Sequence, residues 1–221
     1  MQHPWAILCD FDGTAITEDL GDKVSQGFAG YPVWRRAEDD YKAGAYGFGE
    51  LIRRIFAPIT ASREEIAAFA RSQAVLRPGF ERFVAACRAA GRPFVLCSAG
   101  LDIYIEPVLE RLAPELRAHI QLRANRATCS PTGLTVEFHR VAEAIDGDCG
   151  RCGFCKGPVV RGLQGDGYRV AVFGDGTADR CAAEAADFVF ARGRLIDYCR
   201  QKEIAHSVFE TFDEAMAAFP R

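Results

Sequence analysis

The sequence predicts an α/β protein with a mostly parallel sheet covered by helices on both faces, and three observations predict it. Apolar runs too short for helices recur at residues 4–9, 93–97, 169–173 and 188–190. Helical patterns separate these runs, the arrangement that parallel strands require for their crossovers. Residues 19–75 carry helical patterning with no strand candidate, so a small helical domain is expected to be inserted after the first strand.

In chain order, residues 4–9 read as a buried strand running directly into Asp10-Phe11-Asp12-Gly13-Thr14. Tyr31-Pro32 separates two helical segments, and Phe48, Leu51, Ile52 and Ile55 make a stripe at helical spacing. Ser62 followed by Glu65 is a capping box that opens a further helix. Pro78-Gly79 opens a helix ending at Gly91, residues 93–97 form a strand, 103–112 a helix and 120–122 a strand. Residues 128–138 read as a hairpin turning at Ser130-Pro131-Thr132-Gly133, with Leu134, Val136 and Phe138 alternating on one side. A loop rich in cysteine and glycine follows, and a helix begins near Lys156. Strand 169–173, a helix, strand 188–190 and helices at 194–201 and 211–219 complete a Rossmann-like alternation.

At 221 residues and 49% hydrophobic, the chain can bury a real core, and its formal net charge is only −3. Charges of both signs are dispersed. No basic tract points to nucleic acid, and no Lys/Arg-rich amphipathic stretch or long apolar run points to a membrane. The first ten residues do not read as a secretory signal, so the expected location is the cytoplasm, as a monomer or homodimer with a small-molecule partner. Nine cysteines fit that setting as mainly reduced thiols, with Cys9, Cys97 and Cys181 read as buried packing residues.

Four clusters carry chemistry. Asp10 and Asp12 follow the first strand two residues apart, so an extended backbone would aim both the same way, with Gly13 and Thr14 supplying a tight exit and a hydroxyl. Close carboxylates repel, and a divalent cation would stabilise them; the same composition also makes an ordinary turn. Ser98-Ala99-Gly100 follows a strand, where a hydroxyl and backbone N–H groups at a helix start could hold phosphate or simply cap the helix. Lys156 opens a helix, placed to neutralise a phosphate or to sit in solvent. Gly174-Asp175-Gly176-Thr177-Ala178-Asp179 puts Asp175 at a strand end and Asp179 just inside the next helix, as metal ligands or as N-terminal acids. Acids at two strand ends of one sheet, with no paired histidines, favour magnesium.

Paired aspartates, serine, lysine and a Gly-Asp cluster, in that order, closely resemble the four motifs of the haloacid dehalogenase superfamily over nearly the whole chain. The resemblance implies a core of residues 1–14 and 79–221 and a helical cap domain of residues 15–78. It implies a phosphatase in which Asp10 is the nucleophile and forms an aspartyl-phosphate, while Asp12 protonates the leaving group and then activates water. It also implies magnesium held by Asp10, the Asp12 carbonyl and Asp175, with Asp179 ligating through water or orienting the shell. Phosphate contacts would come from Ser98, Ala99, Gly13, Thr14 and Lys156.

Within the superfamily the chain resembles the phosphoserine phosphatase-like branch, and more closely the methionine-salvage phosphatases acting on 2-hydroxy-3-keto-5-methylthiopentenyl-1-phosphate. Two features carry this. Asp19 stands nine residues past the nucleophile, where phosphoserine phosphatases typically place a glutamate, and Cys152-Gly153-Phe154-Cys155-Lys156 looks like the salvage enzymes' approach to the lysine. Asp19 is thus a candidate for substrate selectivity, and Arg35, Arg36, Arg53 and Arg54 could meet a substrate carboxylate or be solvated. Phosphoserine, phosphocholine, phosphoethanolamine and pyridoxal phosphate are alternative substrates; a phosphotransferase and a non-catalytic phosphate-binding protein are alternative functions. Cys149, Cys152 and Cys155 recur every third residue; they could bind zinc with Cys129 or His139, act as a redox switch, or remain free thiols.

Overall fold

The computed structural model describes residues 4–139 and 153–219. Among these, seven strands form one sheet: β1 (Trp5–Cys9), β2 (Phe94–Leu101), β3 (Ile120–Ser130), β4 (Gly133–Glu137), β5 (Arg169–Gly174), β6 (Phe188–Ala191) and β7 (His206–Val208). Their spatial order is β4-β3-β2-β1-β5-β6-β7. All neighbours are parallel except the β3–β4 hairpin, whose turn pairs Ser130 with Gly133 as the sequence indicates. All five residues of β1 are buried, which is why it reads as an unbroken apolar run rather than an alternating one.

Register matters most for function. Cys9 aligns with Leu96 of β2 and with Phe173 of β5, so β1 and β5 end within a residue of each other while β2 runs on to Leu101. The residues that follow them are thereby delivered to the carboxyl edge of the sheet.

Between β1 and β2 lie α1 (Leu20–Phe28), α2 (Tyr31–Lys42), α3 (Phe48–Phe56) and α4 (Arg63–Gln73), then α5 (Phe80–Ala89). Asp19 caps α1 by accepting the Asp22 N–H, and the Ser62/Glu65 capping box starts α4 as expected. The stripe Leu51, Ile52, Ile55 and Phe56 is the buried face of α3. The chain leaves the sheet and returns through an antiparallel bridge between Ile16 and Leu76, so the four helices are inserted between two adjacent backbone crossings.

The inserted helices meet the rest of the chain at several points. Arg63 of α4 reaches Asp102 at 3.0 Å, and Arg71 reaches Glu110 at 2.7 Å. The Leu134 N–H of β4 donates to Ala57 O, and the absence of a side chain at Gly133 makes that approach possible, since a Cβ there would stand 1.9 Å from the same oxygen. Gly49 of α3 lies against Gly153, where a Cβ on either would come within about 3.3 Å of the other's backbone.

The remaining helices are α6 (Asp102–Leu109), α7 (Pro114–His119), α8 (Gly157–Gly165), α9 (Arg180–Ala185), α10 (Gly193–Gln201) and α11 (Phe212–Ala217). Under the sheet, Phe80, Phe83, Phe94, Phe173, Phe190, Phe209 and Phe212 form one aromatic cluster, with Phe173 and Phe190 stacked at 4.5 Å. Two elements go beyond the sequence reading. β7 is three residues with no fully buried position, and α7 is a short helix in the link to β3.

Candidate active site

The loop after β1 starts from a fixed point: the Asp10 N–H donates to Phe173 O of β5 at 2.9 Å. Across from it, Asp175 follows β5, and a turn over residues 177–179 brings Asp179 back beneath it. Asp179 Oδ2 accepts the N–H groups of both Asp175 and Gly176 at 3.0 Å. Asp10, Asp175 and Asp179 offer carboxylate oxygens that all lie within 4.8 Å of one another. Aspartates more than 160 residues apart in the chain therefore converge as expected.

Lys156 is completely buried one residue ahead of α8, and its Nζ contacts Asp10 Oδ1 and Asp179 Oδ1, the latter at 2.6 Å. It is not a solvated surface charge. Burial acts to lower its pKa, but Asp10 and Asp179 outweigh burial and hold the ammonium above its ordinary value. One cation against three carboxylates leaves a surplus of negative charge. Burial and then Asp179 raise Asp10, and burial followed by Asp179 pushes Asp175 up to about 6. Hard oxygen donors carrying unbalanced charge are a donor set that fits a small divalent cation. Both Asp179 oxygens already accept protein donors, so it fits the part of orienting a metal shell better than that of a direct ligand.

Gly13 and Thr14 fold over this cluster. Gly13 has φ +70°, and a Cβ there would stand 2.5 Å from Asp175 Oδ2, so glycine is required both for the turn and for the approach. Thr14 Oγ1 donates to Asp175 Oδ1 at 3.3 Å. Gly174 is constrained by the approach alone, because a Cβ would lie 2.5 Å from Asp179 Cγ.

Asp12 departs from expectation. Its carboxylate does not join Asp10 in the acid cluster, because strand geometry ends at Cys9 and the chain turns through Gly13. Asp12 Oδ1 accepts the Leu20 N–H at 2.8 Å, and Oδ2 accepts the Tyr104 hydroxyl at 3.2 Å. Burial raises its carboxyl to about 7. Any part Asp12 has in metal binding would fall to its carbonyl.

Ser98 also differs from the sequence reading. It is buried inside β2, which continues to Leu101, and is not at a helix start; α6 opens only at Asp102. The pairing with β3 is irregular between Cys97 and Leu101, a bulge in which Ser98 Oγ accepts the Gly100 N–H at 2.9 Å. Buried Asn125 of β3 fixes that bulge by donating to Ala99 O at 2.7 Å while accepting the His139 N–H.

Arg77 was invisible in the sequence and is only 5% exposed. It donates to the carbonyls of Gly13, Thr14, Ile16 and Glu210, which clamps the loop carrying Thr14. Arg192 adds a donor to Gly13 O. No periodicity or motif marks these arginines, Asn125 or Tyr104, since each acts through partners remote in sequence.

Asp19 keeps an exposed surface although protein surrounds it, and this enclosure, then Asp12 and Asp22, raises its carboxyl well above the usual range. The candidate arginines of the inserted helices are mostly engaged locally. Arg35 pairs with Asp39, Arg54 with Glu50, and Arg53 lies over Phe138.

Cys149 and Cys152 lie outside the described residues, and nothing supports zinc at the cysteine cluster. Cys155 is buried beside Lys156, and the His139 ring stacks on Phe154 at 5.9 Å. Among the described residues, Asp10, Asp175 and Asp179 are the one group of Asp, Glu, Cys or His side chains close enough to hold an ion. Cys9 and Cys97 are buried as expected, whereas Cys181 is only partly so. Among the described residues no helix is long and apolar enough to cross a membrane.

Residues 7–184 match the haloacid dehalogenase-like hydrolase family. A 2-hydroxy-3-keto-5-methylthiopentenyl-1-phosphate phosphatase of Geobacillus thermodenitrificans is 33% identical over 217 residues, 96% of this chain and 94% of its own. The protein of the same name from Geobacillus kaustophilus is 33% identical, covering 100% of this chain and 98% of its own. Among solved structures, a phospho-aspartyl intermediate analogue of phosphoserine phosphatase superposes with a TM-score of 0.72 at 18% identity, covering 99% of this chain and 100% of that one. A substrate-bound phosphoserine phosphatase gives 0.71 at 18% identity over the full length of both. At that identity the two structures establish a shared fold.

Proposed function

The chain belongs to the haloacid dehalogenase-like hydrolases and is a phosphatase of that family, and from this premise we propose that it is a magnesium-dependent phosphomonoesterase working through an aspartyl-phosphate on Asp10. The observation that carries the reading is the convergence of Asp10, Asp175 and Asp179 around the buried Lys156. A carboxylate oxygen of Asp10 attacks phosphorus, the ester P–O bond breaks, and the Asp12 proton passes to the departing oxygen. Asp12 then takes a proton from water as its oxygen attacks the phosphorus, which releases phosphate and restores both aspartates. Lys156, Ser98 Oγ and the backbone of Gly13, Thr14 and Ala99 bind the phosphoryl oxygens. Asp10, Asp175 and the Asp12 carbonyl would hold the metal, with Asp179 orienting them. Magnesium, when bound, offsets the negative charge that repels an anionic nucleophile from a phosphate ester.

Residues 15–78 serve as a cap over a core of residues 1–14 and 79–221, excluding water and selecting the substrate. The substrate is 2-hydroxy-3-keto-5-methylthiopentenyl-1-phosphate, placing the enzyme in methionine salvage. Relatives one-third identical over almost the full chain carry that name. The named compound has no amine or carboxylate, in keeping with Arg35 and Arg54 being paired to acids of their own helices. Phosphoserine is the second candidate, since Asp19 offers a carboxylate near Asp12 that could meet an amine.

Phosphate release is to be measured across small phosphate esters with magnesium and again with chelator. The enol phosphate should be turned over fastest and only with metal. Faster turnover of phosphoserine would overturn the substrate, and undiminished activity of Asp10→Asn would overturn the nucleophile.

A further inference from the structure

The general acid in the reading above must present one carboxyl oxygen to the leaving group while the rest of the group is held still. Tyr104 of α6 stands where it can do the holding. Its side chain is 1% exposed, and its ring stacks with Phe56 at 6.0 Å, packing that phenylalanine would satisfy equally well. The hydroxyl therefore needs a separate explanation, because a buried phenol must find partners. It lies 3.2 Å from Asp12 Oδ2, to which it donates.

The space for that hydroxyl is built by two glycines from different parts of the chain. A Cβ at Gly100, in the β2 bulge, would stand 1.9 Å from Tyr104 Oη; a Cβ at Gly21, in α1, would stand 2.9 Å from it. Alanine at position 100 would occupy the site of the oxygen itself. A slot cut by glycines on both sides, ending on Asp12, is shaped around the hydroxyl and not around the ring.

The geometry points to Tyr104 as the positioning residue for Asp12. Leu20 N–H holds Oδ1 from the inserted helices, and the Tyr104 hydroxyl holds Oδ2 from the core, so the carboxyl plane is fixed by donors on two elements. Without the hydroxyl, Oδ2 loses its core-side donor and the carboxyl can rotate about its remaining bond. Tyr104 acts through Asp12 alone. This inference rests on Asp12 acting as the acid.

The test uses Tyr104→Phe, which keeps the buried ring, with two esters of similar shape. Phenyl phosphate releases a basic phenoxide that needs protonation; p-nitrophenyl phosphate releases an anion that leaves without it. Tyr104→Phe should lower kcat/KM for phenyl phosphate about tenfold while changing p-nitrophenyl phosphate less than about twofold. Inhibition by inorganic phosphate should be unchanged, which a general loosening of the site would not allow. Equal losses on both esters, or none on either, would overturn the assignment of Tyr104. Asp12→Asn separates that outcome from failure of the underlying reading. If Asp12→Asn discriminates between the esters and Tyr104→Phe does not, Tyr104 alone is wrong; if Asp12→Asn does not discriminate, Asp12 is not the acid.

Discussion

Lys156 Nζ lies 2.6 Å from Asp179 Oδ1 with both side chains closed off from solvent, and the same ammonium touches Asp10. A desolvated ion pair of this kind is much more costly to break than to replace whole. Lys156→Met leaves Asp10 and Asp179 buried without their cation. It should destabilise the protein by about 3–5 kcal/mol in a denaturant titration. Activity should fall at least about 100-fold, since a phosphoryl-binding charge goes with it. Wild-type stability in this variant would show that the pair is not closed to water.

Magnesium should stabilise the fold as well as support turnover. A cation that binds only the native state raises stability by about 2.7 kcal/mol at 100 times its dissociation constant. Melting temperature should rise with magnesium and return with chelator, and Asp175→Asn should abolish the rise. An unaltered shift in that variant would place the ion elsewhere.

Protons compete for the same oxygens. Asp175 is raised to about 6, so in the metal-free protein its native form binds a proton more readily than the unfolded chain does. Its contribution therefore favours folding below the unfolded value and fades as pH rises through about 6. Measured against Asp175→Asn, apo wild-type should lose relative stability as pH rises from about 4 to about 6 and level off above that. Magnesium affinity should run the opposite way, weakening as pH falls below about 6.

Arg77 satisfies four backbone carbonyls, three of them in the turn that follows Asp10. Arg77→Met strands buried acceptors and should cost about 2–4 kcal/mol. Arg77→Lys keeps the charge but cannot spread donors over the same arc, so it should recover only part of the loss. Thermal melting with kcat measured in parallel checks both.

Gly13→Ala introduces strain at φ +70° and a methyl group 2.5 Å from Asp175 Oδ2. Magnesium affinity should fall about tenfold or more, while stability drops by only about 1–2 kcal/mol. Calorimetric magnesium titration of the folded variant reads this directly.

Much of the architecture was legible because its signals are local. The apolar run ending at Asp10, the Ser62/Glu65 cap and the turn at Ser130 to Gly133 each depend on neighbours in sequence. The acid cluster was legible because the strands bearing Asp10 and Asp175 are both buried and parallel, which fixes their ends at one level. What escaped depends on distance. Asp12 was expected to point with Asp10, but the turn at Gly13 gave it to Leu20 and Tyr104 instead. Ser98 was read as a helix start, whereas it lies within β2, where Asn125 of β3 donates to the next residue's carbonyl. β7 pairs only with β6 at the sheet's edge and lacks the buried run by which its partners were found.

The approach of Gly49 to Gly153 ties the third inserted helix to the segment that leads into Lys156. Two bare backbones meet there, one in the third inserted helix and one three residues before Lys156. A side chain added at residue 49 would press on that segment and, through it, on the position of the buried ammonium.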